Sequence, residues 1–195
     1  MKVVIVGGVA GGASAAARLR RLDEQAQITI YERSGYISYA NCGLPYYIGG
    51  TIQKQAELTL QTPASFKKRF NIEVKVGHEV QAIDRAKKQV TVCDLASGQV
   101  FQAGYDKLIL APGAQPVRPP LPGVDSPRLY TLRTVEDTLR IREIAASGQV
   151  KSAVVIGGGF IGVEMAENLR ELGLAVSLIQ RENHLLAPLD QDLAS

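Results

Sequence analysis

The chain has no tryptophan, and among its 195 residues it has only two cysteines, two histidines and two methionines. Cys42 and Cys93 stand too far apart for a C-x-x-C dithiol or a cysteine metal cluster, so a disulfide-stapled scaffold and a zinc site are both excluded, and no metal ligand set is expected. No long apolar run is present. The opening stretch Val3-Val4-Ile5-Val6 stops at Gly7-Gly8, far short of a signal-peptide core or a spanning helix, so a cytoplasmic protein without a membrane partner is expected. Neither sign of charge forms a tract. The 22 basic and 19 acidic residues are interspersed and leave a net charge of +3, which gives little footing for a nucleic-acid partner.

Glycine, by contrast, is plentiful, with 19 residues, and its placement organises the chain. Val3 to Val6 reads as a strand, Gly7 to Gly12 as a loop, Ala10 to Leu22 as a small-residue helix and Ile28 to Tyr31 as a second strand closed by Glu32. The same strand, loop, helix and strand recur over Ala153 to Ile156, Gly157 to Gly162 and Ala175 to Ile179. Ser34 to Gly50 reads as irregular, and Ser65 to Phe70 as a short helix behind Thr62-Pro63. Four short runs, Ile72 to Val76, Glu79 to Ile83, Gln89 to Cys93 and Gln99 to Phe101, read as a small antiparallel meander, and Leu108 to Ala111 as a further strand. Prolines 116, 119, 120, 122 and 127 then break the chain, and Thr134 to Ala146 has helical spacing. The expected architecture is α/β: two Rossmann-like βαβ dinucleotide-binding units and a β-meander, with the second unit incomplete. The expected division is residues 1–113 and 114–195.

The second loop, Gly157-Gly158-Gly159-Phe160-Ile161-Gly162, is a complete G-x-G-x-x-G. Its first glycine permits the tight turn, its second lets backbone approach a pyrophosphate, and its third lets helix pack on strand. The first loop, Gly7-Gly8-Val9-Ala10-Gly11-Gly12, has valine in the middle place, but Glu32 follows Gly12 by 20 residues, where a carboxylate can accept ribose hydroxyls. A solvated charge at a strand end is the other reading of Glu32. Gln180, followed by Arg181, stands at the corresponding place in the second unit, 18 residues beyond Gly162. A neutral amide beside a guanidinium removes the repulsion a carboxylate would exert on a 2′-phosphate, which leaves both NADH and NADPH open.

Cys42 lies in Ser38-Tyr39-Ala40-Asn41-Cys42-Gly43-Leu44-Pro45-Tyr46-Tyr47, with no second thiol near it. A thiol beside the N–H groups of a helix start favours the thiolate, which attacks a disulfide or exchanges electrons with a flavin. A buried small hydrophobe is the alternative. Cys93, between Val92 and Asp94 in an alternating strand, reads as packing. Ser14, Arg18 and Arg21 recur at i, i+4 and i+7 and share one helix face, either to hold ligand phosphates or as an exposed basic stripe. Lys67, Lys68 and Arg69 read as solvated.

The first glycine loop, the segment from Ser38 to Tyr47, Leu108-Ile109-Leu110-Ala111-Pro112-Gly113-Ala114, and Gly157 to Glu167 together resemble the flavin-dependent pyridine nucleotide-disulfide oxidoreductases. Asn41-Cys42-Gly43-Leu44-Pro45-Tyr46 and Ala187-Pro188-Leu189-Asp190 are most similar to the coenzyme A disulfide reductases among them. The resemblance implies FAD on the first unit, held around Gly7, Val9, Ala10, Gly12, Glu32 and Arg33, with Val80 meeting the adenine and Ala111 and Gly113 lining the nucleotide. It implies NAD(P)H on the second unit, at Gly157, Gly159, Phe160, Ile161, Gly162, Gln180 and Arg181. Electrons then pass from nicotinamide to flavin to Cys42, which forms a mixed disulfide with coenzyme A. Ser14, Arg18, Arg21, Ser38 and Asn41 hold that coenzyme, and Asn41 also borders the cofactor. The substrate is a small disulfide or persulfide. Rival readings are an NADH oxidase or peroxidase that uses a Cys42 sulfenic acid, and a nucleotide-binding fragment without turnover. Family members are more than twice this length, which implies an N-terminal portion of a protein that is a homodimer when complete.

Overall fold

The computed structural model describes residues 1–190. The chain runs β1 (Lys2–Val6), α1 (Ala10–Leu22), β2 (Gln27–Glu32), β3 (Ile37–Tyr39) and α2 (Leu44–Gly49), the last entered through a 3-10 turn at Asn41–Gly43. There follow β4 (Thr59–Gln61), α3 (Pro63–Phe70), β5 (Glu73–Val76), β6 (His78–Asp84), β7 (Gln89–Asp94), β8 (Val100–Gly104) and β9 (Lys107–Leu110). The later elements are α4 (Val135–Ala146), β10 (Ser152–Ile156), α5 (Phe160–Glu171) and β11 (Ala175–Ile179). Among the described residues no helix is long and apolar enough to cross a membrane.

These elements fall into two compact units. The first comprises Met1–Tyr39 and Thr59–Gln115. Its central sheet has the order β5-β2-β1-β9, all strands parallel. The β-branched run of β1 is buried on both faces, as a parallel strand covered on two sides requires. Val3 and Ile5 pack with Ile28, Ile30, Ala13, Ala16 and Phe66, while Val4 packs with Tyr31, Val90 and Val92 from the strands opposite. The small residues Gly12, Ala13 and Ala16 form the buried face of α1, which lets that helix lie close on the sheet.

The antiparallel meander has three strands, β6-β7-β8. The run from Ile72 to Val76, expected to be its fourth, pairs parallel with β2 as the sheet edge, Thr29 opposite Glu73 and Glu32 opposite Val76. A run this short has no periodicity to separate the two outcomes, and the helix α3 before it supplies a crossover.

The second unit comprises Ala40–Leu58 and the residues from Pro116 onward. Its parallel pair β10-β11 packs with Ile48, Met165, Leu169 and Leu174 on one side. On the other side Val154, Ile156 and Ile179 are exposed, as in a sheet with few strands. The segment around Cys42, expected with the first 113 residues, packs here instead. Antiparallel β3 and β4 close the base of this excursion, Ile37 opposite Gln61 and Tyr39 opposite Thr59, so residues 40–58 leave the first unit as a loop and build their core elsewhere. The stretch expected to be irregular also holds β3 and α2; Pro45 sits in the first turn of α2, where its missing N–H costs nothing.

Candidate functional site

In the first unit Gly7 turns the chain at φ +93° and donates its N–H to the Tyr31 carbonyl at 2.8 Å. A Cβ on Gly7 would collide with the Ala111 carbonyl, and one on Gly12 with the Gly7 carbonyl, so both positions require glycine for close approach. Val9 is the N-cap of α1 and Ala10 its first residue, and no side chain caps that end. Helices α3 and α4, in contrast, each begin with a reciprocal capping box, Thr62 with Ser65 and Thr134 with Asp137. The first N–H groups of α1 are left without a side-chain cap, and such groups at a helix start are the kind of donor that suits an anion.

Glu32 is 9% exposed, which excludes a solvated strand-end charge. Its Oε2 accepts the Gly8 N–H and its Oε1 the Ser34 N–H, both at 2.7 Å. Glu32, Arg33, Val80 and Gly113 line, with Gly7 and Pro112, a cleft of about 440 Å³. Arg33 pairs with Glu79 across 3.5 Å at the same cleft. Ala111 backs Gly7.

The second unit repeats the arrangement. Gly157, at φ +106°, donates to the Ile179 carbonyl at 2.8 Å, and a Cβ on Gly162 would collide with the Gly157 carbonyl. Around Gly159 a Cβ would meet nothing, and α5 begins there uncapped, with Phe160 and Ile161 exposed. Gln180 Oε1 accepts the Gly158 N–H at 3.0 Å. Arg181 is exposed and pairs with Glu182 at 2.8 Å.

Cys42 is exposed, at the 3-10 turn that opens into α2, so it is no buried hydrophobe. Asn41 beside it accepts from Arg133 Nη1 through Oδ1 at 3.0 Å. Downstream, Arg142 Nη1 donates to the carbonyls of Tyr47 at 2.6 Å and Ile52 at 3.1 Å. Gly49 meets the buried Asn168 so closely that a Cβ would collide with its side chain. The Glu164 carboxylate raises the Tyr46 hydroxyl above its ordinary range, with smaller contributions from burial and Glu167.

Ser14, Arg18 and Arg21 do share one exposed face of α1. Ser38 is half-buried in the left-handed region, φ +46°, with its N–H on the Gly8 carbonyl at 3.0 Å. These four lie in the first unit and Asn41 with Cys42 in the second. Cys93 is buried, as read. Sequence reasoning missed Arg20, Arg133, Arg142 and Asn168, each of which meets a residue distant in the chain: Phe70 and Asn71, Asn41, Tyr47 and Ile52, and Gly49 respectively. For Arg133 and Arg142 no local signal existed.

A family model described as pyridine nucleotide-disulphide oxidoreductase matches residues 1–195. The coenzyme A disulfide reductase of Staphylococcus haemolyticus is 43% identical over 98% of this chain, which covers 43% of that protein. The structure of reduced Bacillus anthracis CoADR-RHD superposes with a TM-score of 0.96 at 49% identity, over 99% of this chain and 35% of that one. An NAD-dependent persulfide reductase from A. fulgidus gives a TM-score of 0.94 at 37% identity, over 100% of this chain and 37% of that one. The chain thus spans less than half the length of the relatives it matches.

Proposed function

The chain belongs to the pyridine nucleotide-disulphide oxidoreductase family, and from that premise we propose that the protein containing it reduces coenzyme A disulfide, or the corresponding persulfide, with NAD(P)H through Cys42. The observation that carries the reading is the state of the two cysteines. Cys42 is exposed, and the other cysteine of this chain, Cys93, is buried in β7 of the other unit. An exposed thiol with no second cysteine in its own unit is open to exchange with a diffusible substrate. The Cys42 thiolate attacks one sulfur of the disulfide, the S–S bond breaks, and one coenzyme A thiolate leaves. Two electrons from NAD(P)H then break the mixed disulfide, which releases the second coenzyme A and restores Cys42.

FAD, when bound, supplies the relay that carries two electrons from nicotinamide to sulfur. The residues present fit it. The uncapped α1, the glycines without room for side chains and the buried Glu32 beside the cleft are what a pyrophosphate and a ribose need. Gly157, Gly159, Gly162 and Gln180 would hold the pyridine nucleotide. Ser14, Arg18, Arg21, Ser38 and Asn41 would hold coenzyme A, the arginines as phosphate partners. This reading takes the complete protein to be a cytoplasmic homodimer.

Replacing Cys42 with Ser in the full-length protein tests the proposal. Disulfide reduction should vanish while the flavin absorbance stays, and retained turnover refutes the role. Arg21→Ala should raise the Michaelis constant for coenzyme A disulfide more than that for NAD(P)H. An oxidase or peroxidase would show no such asymmetry, since oxygen and peroxide need no phosphate partner. A colourless protein that binds NADH without turnover would reduce the chain to a binding module.

A further inference from the structure

We propose that α4 and the stretch leading into it act as a two-point clamp on the thiol segment, with Arg133, one residue before the N-cap, and Arg142 as positioning residues for Cys42. The two arginines are nine residues apart, Arg133 ahead of the N-cap of α4 and Arg142 in its later half. They grip opposite ends of one stretch of chain. Arg133 Nη1 donates to Oδ1 of Asn41, the residue next to the thiol, at 3.0 Å. Arg142 Nη1 donates to the Tyr47 and Ile52 carbonyls at 2.6 and 3.1 Å, and its guanidinium carbon lies 4.0 Å from the Tyr47 ring centroid.

The clamp is itself held rigid. Asp137 Oδ2 accepts the backbone N–H groups of Arg133 and Thr134, both at 3.0 Å, and Thr134 Oγ1 accepts the Asp137 N–H at 3.2 Å. Burial of Ile48 in the core of this unit fixes how near α2 lies, but apolar contact is non-directional and leaves rotation and sliding of a six-residue helix cheap. Directed bonds at both ends remove that freedom. Arginine suits the second point because one planar head both stacks on an aromatic ring and bridges two carbonyls, whereas lysine offers a point charge. A cation also favours the C-terminal end of a helix.

The consequence for turnover rests on the proposed role of Cys42; the clamp itself is read at the thiol. Full-length protein is treated with iodoacetamide, and the alkylation rates of Cys42 and Cys93 are measured together by peptide mass mapping. In Arg142→Ala and Arg133→Gln the Cys42 rate should change by more than about threefold while Cys93 holds its wild-type rate, because the bonds that fix the segment around the exposed sulfur at Asn41 and Tyr47 are gone. Arg142→Lys should lie between wild type and Arg142→Ala. Arg140→Ala, whose side chain stacks on Tyr130, should match wild type. A Cys42 rate that stays within that limit, or a parallel rise at both cysteines from general loosening, overturns the clamp. Should Arg142→Ala fail to fold, Arg142→Lys and Arg133→Gln decide by the same limits. Turnover that survives Cys42→Ser would sink the functional reading and leave the clamp standing, since alkylation does not depend on it.

Discussion

Gly158 donates its backbone N–H to Gln180 Oε1 at 3.0 Å, just as Gly8 donates to Glu32 Oε2 at 2.7 Å in the first unit. The two units thus use one device, with a carboxylate in one and a neutral amide in the other. At a ribose the carboxylate accepts hydroxyls and repels a 2′-phosphate, whereas the amide with Arg181 next to it tolerates the phosphate. Glutamate at position 180 can still accept from Gly158 but adds a negative charge. Gln180→Glu is expected to lower the NADPH to NADH ratio of kcat/KM by about tenfold, equivalent to roughly 1.4 kcal/mol, with flavin retained. Steady-state kinetics with both nucleotides on the full-length protein check it, and an unchanged ratio would show that the 2′ position lies elsewhere.

The loop glycines include those whose place a side chain would block and one, Gly159, with an ordinary φ and open space at its Cβ position. A Cβ on Gly12 would collide with the Gly7 carbonyl, which the β1 turn cannot move aside, so Gly12→Ala should cost about 3 kcal/mol or more and reduce soluble yield. Gly159 has an ordinary φ of −78° and open space around its Cβ position. Gly159→Ala should keep stability within about 1 kcal/mol while weakening nucleotide binding. Thermal denaturation beside NAD(P)H titration separates the two outcomes.

That division explains how much the sequence disclosed. Each glycine loop, with its strand and helix, is set by residues within about 30 positions of one another, and local pattern identifies it. The same local spacing puts Glu32 beside the first loop, where it accepts the Gly8 N–H. The attachment of the Cys42 segment was not legible in this way, because the bonds that hold it run from Asn41 to Arg133 and from Tyr47 to Arg142, across 92 and 95 residues. No spacing rule reaches that far. The edge strand Glu73–Val76 was misread because four residues of alternating pattern suit either a meander or a parallel edge.

Asp94 gives an acid-side test. The Ser97 hydroxyl, at 2.7 Å from Oδ2, and then the Ala96 N–H, at 2.9 Å from Oδ1, hold its carboxyl below the ordinary value of 3.8, with a further contribution from His78. A lowered folded-state value means that the stabilisation is present above the ordinary range and is lost as pH falls through the lowered value. Asp94→Asn keeps an acceptor for Ala96 but offers Ser97 no carboxylate. Its melting temperature should lie below that of wild type at neutral pH, and the gap should close as pH falls below the ordinary value of 3.8 and through the lowered one. A gap independent of pH would assign the effect to shape and not charge.

Arg20 is the basic residue of α1 with the largest expected effect on stability, although Arg18 and Arg21 are the ones whose spacing attracts notice. Its Nε donates to the Phe70 carbonyl at 2.8 Å, Nη2 to Asn71 at 3.0 Å, and Nη1 to Glu24 at 2.6 Å and Asp23 at 3.3 Å. Asp23 ends α1 and Asn71 ends α3 in the left-handed region, so one guanidinium satisfies carbonyls at the ends of two helices, where cations are also favoured. At 0.5 to 1.5 kcal/mol for each well-formed bond, less for the exposed ones, Arg20→Ala should cost about 2 kcal/mol. That is a fall in melting temperature of roughly 4 to 8 °C for a chain of this size, whereas Arg18→Ala and Arg21→Ala should each stay within about 0.5 kcal/mol. Lysine at position 20 can reach one carbonyl at a time and should restore less than half of the loss. Equal melting temperatures for the Arg20, Arg18 and Arg21 alanine variants would mean that water replaces the Arg20 bonds at no cost.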